Sequence, residues 1–168
     1  MAYEDMRVYL ANLGKYNEGY LVGDWFTLPI NEDDVAERIG LNGRYEEYAV
    51  HSAENFPCEI SEYSSIEELN DLYETIQGFP DEVLDRLDDF KTYFGGIEEL
   101  AENLDRIICY PGCGTMADVA EYLVSERNAL GDVPPLLADY FDYEAYGRDL
   151  ELEGYFIDTS YGICEIIR

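Results

Sequence analysis

Apolar and polar positions alternate in the first third of the chain and predict β-strands. Branched and aromatic residues of the kind that favour strands fill three segments, MRVYLANL, LVGDWFTLPI and RYEEYAVHSA, which glycines separate. Between the last two, NEDDVAERIG offers Asn31 as an N-cap, acidic residues in the first turn and Gly40 as a stop, which predicts a short helix. We interpret Trp25, with Phe26, Tyr9 and Val22, as the core of this N-terminal part.

The spacing of apolar residues changes from strand-like to helical near Tyr63. SSIEELNDLYETIQG contains Ser65 and Glu68 in the spacing of a capping box and Gly78 as a stop. PDEVLDRLDDFKTYFGG and GIEELAENLD predict one further helix each, and all three segments carry an apolar stripe on one side. Residues 62–105 are therefore expected to be entirely helical.

Acidic residues occupy the other side of these predicted helices at i, i+4, i+7 spacing. The three acidic rows are Glu67, Asp71 and Glu74; Asp81, Asp85 and Asp88; and Glu98, Glu102 and Asp105. Like charges at this spacing destabilise a helix by about 0.2–0.5 kcal/mol per pair. The sequence repeatedly contains the less stable arrangement, which indicates that the acids serve a partner.

The last third returns to mixed structure. RIICY predicts a strand, TMADVAEYLVSERNALG a helix that begins at Thr115, and YFIDTSYGICEII a closing hairpin. In LADYFDYEAYGRDLELEG we expect a helix up to Tyr146 and then a strand over RDLELEG. That strand would direct Leu150 and Leu152 inward and its acids outward, namely Asp149, Glu151 and Glu153.

Together these elements predict an α+β protein of three small domains. Their expected bounds are 1–61 for an N-terminal α+β domain, 62–105 for a helical middle domain and 106–168 for a C-terminal α+β domain. Acidic residues outnumber basic ones in each, by 12 to 4, 14 to 2 and 12 to 4. The negative charge is therefore spread over the whole fold.

The size of that charge limits the possible functions of the protein. The chain has 38 Asp and Glu against 10 Lys and Arg, a formal charge of -28, which weakens the compact state through self-repulsion. Duplex DNA carries roughly one negative charge per 1.7 Å, so this charge corresponds to about 48 Å of duplex, while a globule of this length has a diameter of roughly 40 Å. Carboxylates on ordered helices standing in for phosphates are one hypothesis. Adaptation to high salt is another, and it predicts unfolding in dilute buffer.

Motifs for other chemistry are missing from the sequence. It has no EF-hand loop, nucleophile elbow or Gly-rich phosphate loop. His51 stands alone, and the cysteines at 58, 109, 113 and 164 are expected to be unpaired thiols without a metal. Paired carboxylates of a glycosidase stay open, since so many acids form accidental pairs. We expect no enzyme activity, cofactor or metal, no membrane contact because no apolar run is long enough, and a cytoplasmic location.

Three blocks resemble the ArdA family of antirestriction proteins: VYLANLGKYNEGYLVGDWFTLPI, YEEYAVH with SIEELN, and DYFDYEAYGRDLELEG. The resemblance implies a cytoplasmic, non-enzymatic inhibitor encoded on mobile elements, which mimics bent B-form DNA and blocks type I restriction-modification enzymes. It also implies an elongated, curved homodimer with three small domains per subunit. The expected partner is the methyltransferase core of such an enzyme, in place of nucleic acid itself, with cutting and also modification suppressed.

The resemblance assigns roles within residues 136–150, which correspond to the antirestriction motif of that family. Its aromatic residues would join two subunits, and these are Tyr140, Phe141, Tyr143 and Tyr146. Asp139, Asp142 and Asp149 would add to the acidic surface, beside Glu151 and Glu153. The alternative function is an acidic adaptor or chaperone for a basic, nucleic-acid-binding protein, which needs an acidic patch but no DNA-like geometry.

Overall fold

The computed structural model describes residues 3–168. They form a mixed helix and sheet structure, so the predicted α+β class is confirmed. The chain divides into two compact units, one ending at Phe79 and the other spanning Pro80–Arg168. This boundary lies inside the segment 62–105, and the division into three domains stays a prediction.

The first unit is built on a three-stranded antiparallel sheet. The strands β1 (Arg7–Asn12), β2 (Gly23–Thr27) and β3 (Tyr48–Glu54) pair in the order β2-β1-β3. The helices of this unit are α1 (Leu13–Asn17), α2 (Glu32–Ile39) and α3 (Ile66–Gln77). The sequence predicted the three strands, α2 and α3, but not the short α1.

One face of this sheet forms the core of the unit. Val8 and Leu10 on β1 and Phe26 on β2 are buried, as is Val35 of α2. Trp25 is only partly buried. Because adjacent strand residues point to opposite faces, Trp25 lies on the face away from Phe26. It packs against Tyr9 there, with ring centroids 5.6 Å apart, so its predicted place in the core is wrong.

The second unit combines short helices with another antiparallel sheet. Its strands, β4 (Ile107–Pro111), β5 (Tyr155–Thr159) and β6 (Gly162–Ile166), pair in the order β4-β6-β5. The helices are α4 (Asp81–Asp85), α5 (Leu87–Phe94), α6 (Ile97–Glu102), a 3-10 turn over Leu104–Arg106, α7 (Met116–Ser125), α8 (Pro135–Ala138) and α9 (Tyr143–Glu153). The strand predicted from RIICY and the closing hairpin are confirmed.

Three predicted elements of this unit are wrong, and one of them is the helix expected up to Tyr146, because residues 139–142 between α8 and α9 are not helical. PDEVLDRLDDFKTYFGG is not one helix, because Arg86 leaves helical geometry at φ -127° and ψ 41° and separates α4 from α5. RDLELEG is not a strand but the last part of α9. Its polar and apolar alternation is also compatible with a helix whose outer side is exposed, and Leu152 is 84% exposed. Packing of α9 on α7 decides for the helix.

The packing of α9 on α7 depends on a glycine. Gly147 is buried in the middle of α9, and a Cβ placed there would lie 2.7 Å from the backbone carbonyl carbon of Met116. Real side chains do not approach a backbone this closely, so only glycine allows the two helices to meet. The contact therefore requires a glycine inside the helix, which lowers the stability of the helix by about 1 kcal/mol relative to alanine.

Candidate partner-binding surfaces

The first acidic row lies on the exposed side of α3. Ser65 caps this helix in a complete capping box, and Ile66, Leu69 and Ile76 on the opposite side are buried. Asn70 fixes the helix to the loop between β2 and α2 by accepting from the Ile30 N–H at 2.7 Å and donating to the Ile30 carbonyl at 2.8 Å. The row itself is fully exposed and consists of Glu67, Asp71 and Glu74. A regular, anchored helix therefore holds these three carboxylates in solvent.

The second predicted row is divided by the break between α4 and α5. Asp81 and Asp85 lie on α4 and Asp88 lies on α5, and all three are exposed. Because the helix is interrupted at Arg86, regular helical spacing relates only the first two carboxylates to each other. The position of Asp88 relative to them depends on the geometry of the break.

Asp85 differs from the other acids of the rows because its carboxylate is bonded to the turn between β5 and β6. It accepts from the Ser160 N–H at 2.8 Å and from the Ser160 hydroxyl at 3.1 Å. The backbone bond, more than the hydroxyl bond, lowers the pKa of Asp85 below its usual range. The neighbouring Arg86 donates through Nε to the Asp158 carbonyl at 3.0 Å.

The third row begins on α6 and ends beyond it. Ile97 and Leu100 are buried on the inner side of α6, and Glu98 and Glu102 are exposed on the outer side. Asp105 is also exposed but lies in the 3-10 turn. The three acids are presented to solvent as predicted, although a single α-helix does not carry them.

Basic residues neutralise few of these carboxylates. Lys91 approaches Asp88, with the nitrogen 3.3 Å from the carboxylate oxygen. Within residues 3–168, the carboxylates of the other eight row acids have no ion pair with Lys or Arg. Most of the row charge therefore faces solvent without an internal counter-ion.

The acids of the C-terminal segment surround α8 and α9. Asp142 caps α9, because its side chain accepts from the Ala145 N–H at 3.0 Å. The remaining four predicted site acids, also exposed, are Asp139, Asp149, Glu151 and Glu153. Since these last three acids belong to a helix with about 100° per residue, Asp149 and Glu153 lie one turn apart on the same side of α9, whereas Glu151 lies on the opposite side.

The aromatic residues of this segment have two different environments. Tyr140 is 81% exposed. Phe141 is partly buried and contacts Tyr143 and Tyr146 edge to face, with ring centroids 5.1 and 5.7 Å apart. The structure thus brings three of the four predicted dimer residues into one cluster and leaves the fourth projecting from it.

Two exposed leucines lie on α8, shortly before that cluster in the chain. Leu136 and Leu137, on α8, are 68% and 56% exposed. The aromatic cluster also borders an open depression of about 310 Å³. It is lined by Leu130, Phe141, Asp142, Ala145, Tyr146 and Asp149. The sequence reasoning missed these leucines, and the signal available was the pair of leucines directly after two prolines, in a helix too short to bury them.

The remaining candidate groups are the single histidine and the four cysteines. His51 is exposed and contacts the Tyr16 ring edge to face. No disulfide joins the four cysteines within residues 3–168, and burial raises the pKa of Cys164 opposite Cys109 in the sheet. Over residues 3–168 no three potential ligand side chains converge on a metal site, and no helix in that range could cross a bilayer.

Comparison with known sequences identifies one family. Residues 8–165 match the family described as antirestriction protein (ArdA), which is nearly the whole chain. No curated protein sequence matched. The family match includes all three acidic rows and the aromatic cluster.

Proposed function

Because the chain belongs to the antirestriction protein (ArdA) family, whose members are non-catalytic inhibitors of restriction, we propose that it acts as a mimic of B-form DNA. In this proposal it occupies the DNA-binding groove in the methyltransferase core of a type I restriction-modification enzyme. Restriction is then inhibited by competition, and modification is inhibited as well because both activities need the same groove.

The observation that carries this proposal is the state of the carboxylates. The nine row acids are exposed, eight of them lie on α-helices with buried apolar residues, and eight have no ion pair with Lys or Arg within residues 3–168. A groove that binds duplex DNA offers Lys and Arg at the positions of phosphates. Fixed carboxylates bind such a groove without first losing conformational entropy, which favours ordered helices over a disordered acidic tail.

Assembly into a homodimer is the second part of the proposal. Tyr140, Leu136 and Leu137 are exposed and come shortly before Phe141 and its cluster in the chain. A second copy of the chain would cover this apolar surface and double the number of acidic rows. We propose that the dimer is elongated and curved with three small domains per subunit, at bounds 1–61, 62–105 and 106–168.

The binding energy is expected to be distributed over many contacts. An exposed ion pair contributes about 0–1 kcal/mol, so several pairs are needed for an inhibitor that competes with DNA. Attraction over long range also raises the association rate and weakens as salt rises. These two properties would serve an inhibitor that acts in the cytoplasm of a cell that has received foreign DNA on a mobile element.

The test is a displacement titration. A purified type I methyltransferase core is bound to a labelled DNA duplex, and the protein is added at several salt concentrations. We expect stoichiometric displacement at low salt, with an affinity that falls as salt increases. Absence of displacement at every salt concentration would refute the proposal.

A control distinguishes mimicry from general acidity. The acidic adaptor alternative predicts binding to any basic protein, so the titration is repeated with a basic protein that does not bind duplex DNA. Equal affinity for both would favour the adaptor. Preference for the methyltransferase core favours the DNA mimic.

A further inference from the structure

Asp85 combines an exposed position in an acidic row with a fixed structural contact. Its two carboxylate oxygens receive the N–H and the hydroxyl of Ser160, at 2.8 and 3.1 Å. Each carboxylate oxygen thus already accepts one hydrogen bond, which leaves fewer acceptor sites for a lysine or arginine of a partner. The other acids of the second row, Asp81 and Asp88, have no bond to the β5–β6 turn.

Arg86 makes the companion contact at the helix break. It ends α4 and precedes α5, and its carbonyl accepts from the N–H groups of Asp89 and Phe90 at 3.0 and 3.2 Å. Its Nε donates to the Asp158 carbonyl on β5 at 3.0 Å. Two adjacent residues at the break are therefore joined to the end of β5 and to the turn that follows it.

Further contacts fix α5 to the same sheet. The rings of Tyr93 on α5 and Tyr155 on β5 lie 4.5 Å apart. The Arg106 guanidinium lies 5.3 Å from the centre of the Phe94 ring and donates to the Ile167 carbonyl at 2.9 Å. Both ends of α5 are held, so the direction of this helix follows from the sheet.

We propose that Asp85, with Ser160 and Arg86, is a positioning residue that fixes the break between α4 and α5 and so sets where Asp81 and Asp88 present their charges. This inference rests on the proposed function and changes the role of one carboxylate within it. Asp85 contributes through hydrogen bonds rather than through its charge toward the partner. Ser160, although uncharged, would therefore contribute to electrostatic recognition through its hydrogen bonds to Asp85.

Conservative variants separate the two roles. Asp85→Asn removes the charge but retains one acceptor for the Ser160 N–H and one donor for its hydroxyl, whereas Asp85→Ala removes both bonds. Ser160→Ala removes one bond and no charge. Asp81→Asn and Asp81→Ala are the matched controls, since Asp81 is an exposed acid of the same helix whose side chain has no hydrogen bond or ion pair in the described part of the chain.

The measurement is displacement of DNA from the methyltransferase core by each full-length variant. We expect Asp85→Ala to weaken displacement severalfold, Ser160→Ala to weaken it less, and Asp85→Asn to match the wild type. The two Asp81 variants are expected to be equal to each other. If Asp85→Asn is as weak as Asp85→Ala while Ser160→Ala is unchanged, Asp85 acts through its charge and the inference is wrong.

Amide hydrogen exchange tests the contact independently of inhibition. Asp85→Ala is expected to speed exchange of the Ser160 amide and of the first amides of α5, and Asp85→Asn is expected to retain protection. If the wild type displaces no DNA, the proposed function fails, and the exchange result still decides whether the contact fixes the break. Unchanged exchange in Asp85→Ala would overturn the positioning role.

Discussion

Residues 7–54 and residues 66–105 use acidic side chains in opposite ways. In the first region, arginines pair with carboxylates: Arg7 with Glu54, Arg38 with Asp24 and Asp34, and Arg44 with Glu18. In the second region the basic residues are Arg86 and Lys91. Lys91 approaches Asp88, but Arg86 donates to a backbone carbonyl.

The difference shows that formal charge does not measure the charge available to a partner. A carboxylate paired with arginine is partly neutralised and already accepts a hydrogen bond. A carboxylate without such a pair keeps its full charge and its acceptor sites for a partner. Four of the nine acids in residues 7–54 are therefore partly neutralised within the fold. We infer that residues 66–105 provide a larger part of the surface that binds the partner.

Neutralising a whole row should give the largest effect. Glu67→Gln, Asp71→Asn and Glu74→Gln together remove three free charges from α3, and we expect about tenfold weaker displacement of DNA, since each exposed ion pair contributes about 0–1 kcal/mol. The salt dependence should also become shallower. The melting temperature should change little, because relief of repulsion between like charges is about 0.2–0.5 kcal/mol per pair and offsets the loss of Glu67 from the first turn.

The matched control neutralises three paired acids. Asp24→Asn, Asp34→Asn and Glu54→Gln change the net charge by the same amount but remove carboxylates that arginines already bind. We expect this variant to lose less inhibition and more thermal stability than the α3 variant. Equal loss of inhibition in both would show that total charge alone matters, and the comparison between the two regions would be invalid.

Tyr140→Ala should disturb assembly with little effect on folding. This ring is 81% exposed and lies outside the aromatic cluster, so a subunit should retain its melting behaviour while the dimer weakens. Light scattering over a dilution series should show half the dimer mass at concentrations where the wild type is dimeric. Phe141→Ala, in contrast, should also destabilise the subunit, because its ring packs on Tyr143 and Tyr146. An unchanged mass for Tyr140→Ala would exclude this residue from the interface.

Asp24 should make a stability contribution that depends on pH. The hydrogen bond from Arg38, followed by the Trp25 backbone bond, lowers the pKa of Asp24 below its ordinary value of 3.8. A carboxylate with a lowered pKa in the folded state stabilises above its unfolded pKa, and this contribution is lost as the pH falls through the folded pKa. The stability difference between wild type and Asp24→Asn should therefore be full at pH 5–7 and decrease below about pH 4.

The partner of Asp24 provides the control. In an Arg38→Ala background the same Asp24→Asn change should have a much smaller dependence on pH, measured from urea unfolding midpoints. An unchanged dependence would mean that Arg38 does not cause the lowered pKa. If the double-mutant cycle gives the expected coupling between Arg38 and Asp24, this ion pair stabilises the fold of residues 7–54.

Elements with local signals were predictable from the sequence, and elements decided by packing were not. Ser65 and Glu68 define the start of α3 through contacts within one turn, and the structure confirms the capping box. The break at Arg86 depends on bonds to Ser160 and Asp158, more than 70 residues away in sequence. No local pattern contains that information.

The candidate surface follows the same rule. Exposure of the acidic rows was predictable because the apolar residues of α3 and α6 define which side is buried. The arrangement of Asp149, Glu151 and Glu153 was not, since RDLELEG fits both a strand and a helix, and Gly147 decides in favour of α9 through close contact with α7. Periodicity thus gave the solvent side of each helix but not the identity of a short, ambiguous element.

A single free carboxylate should have the smallest effect. Asp71→Asn removes one of the exposed acids on α3, and an exposed ion pair contributes about 0–1 kcal/mol, so displacement should weaken at most a few-fold. The same variant should retain the wild-type melting temperature, since no described side chain forms an ion pair or hydrogen bond with the Asp71 carboxylate. Loss of all inhibition from this one change would mean that recognition depends on one dominant contact. Distributed mimicry would then be wrong, even if the three-residue variant on α3 behaved as expected.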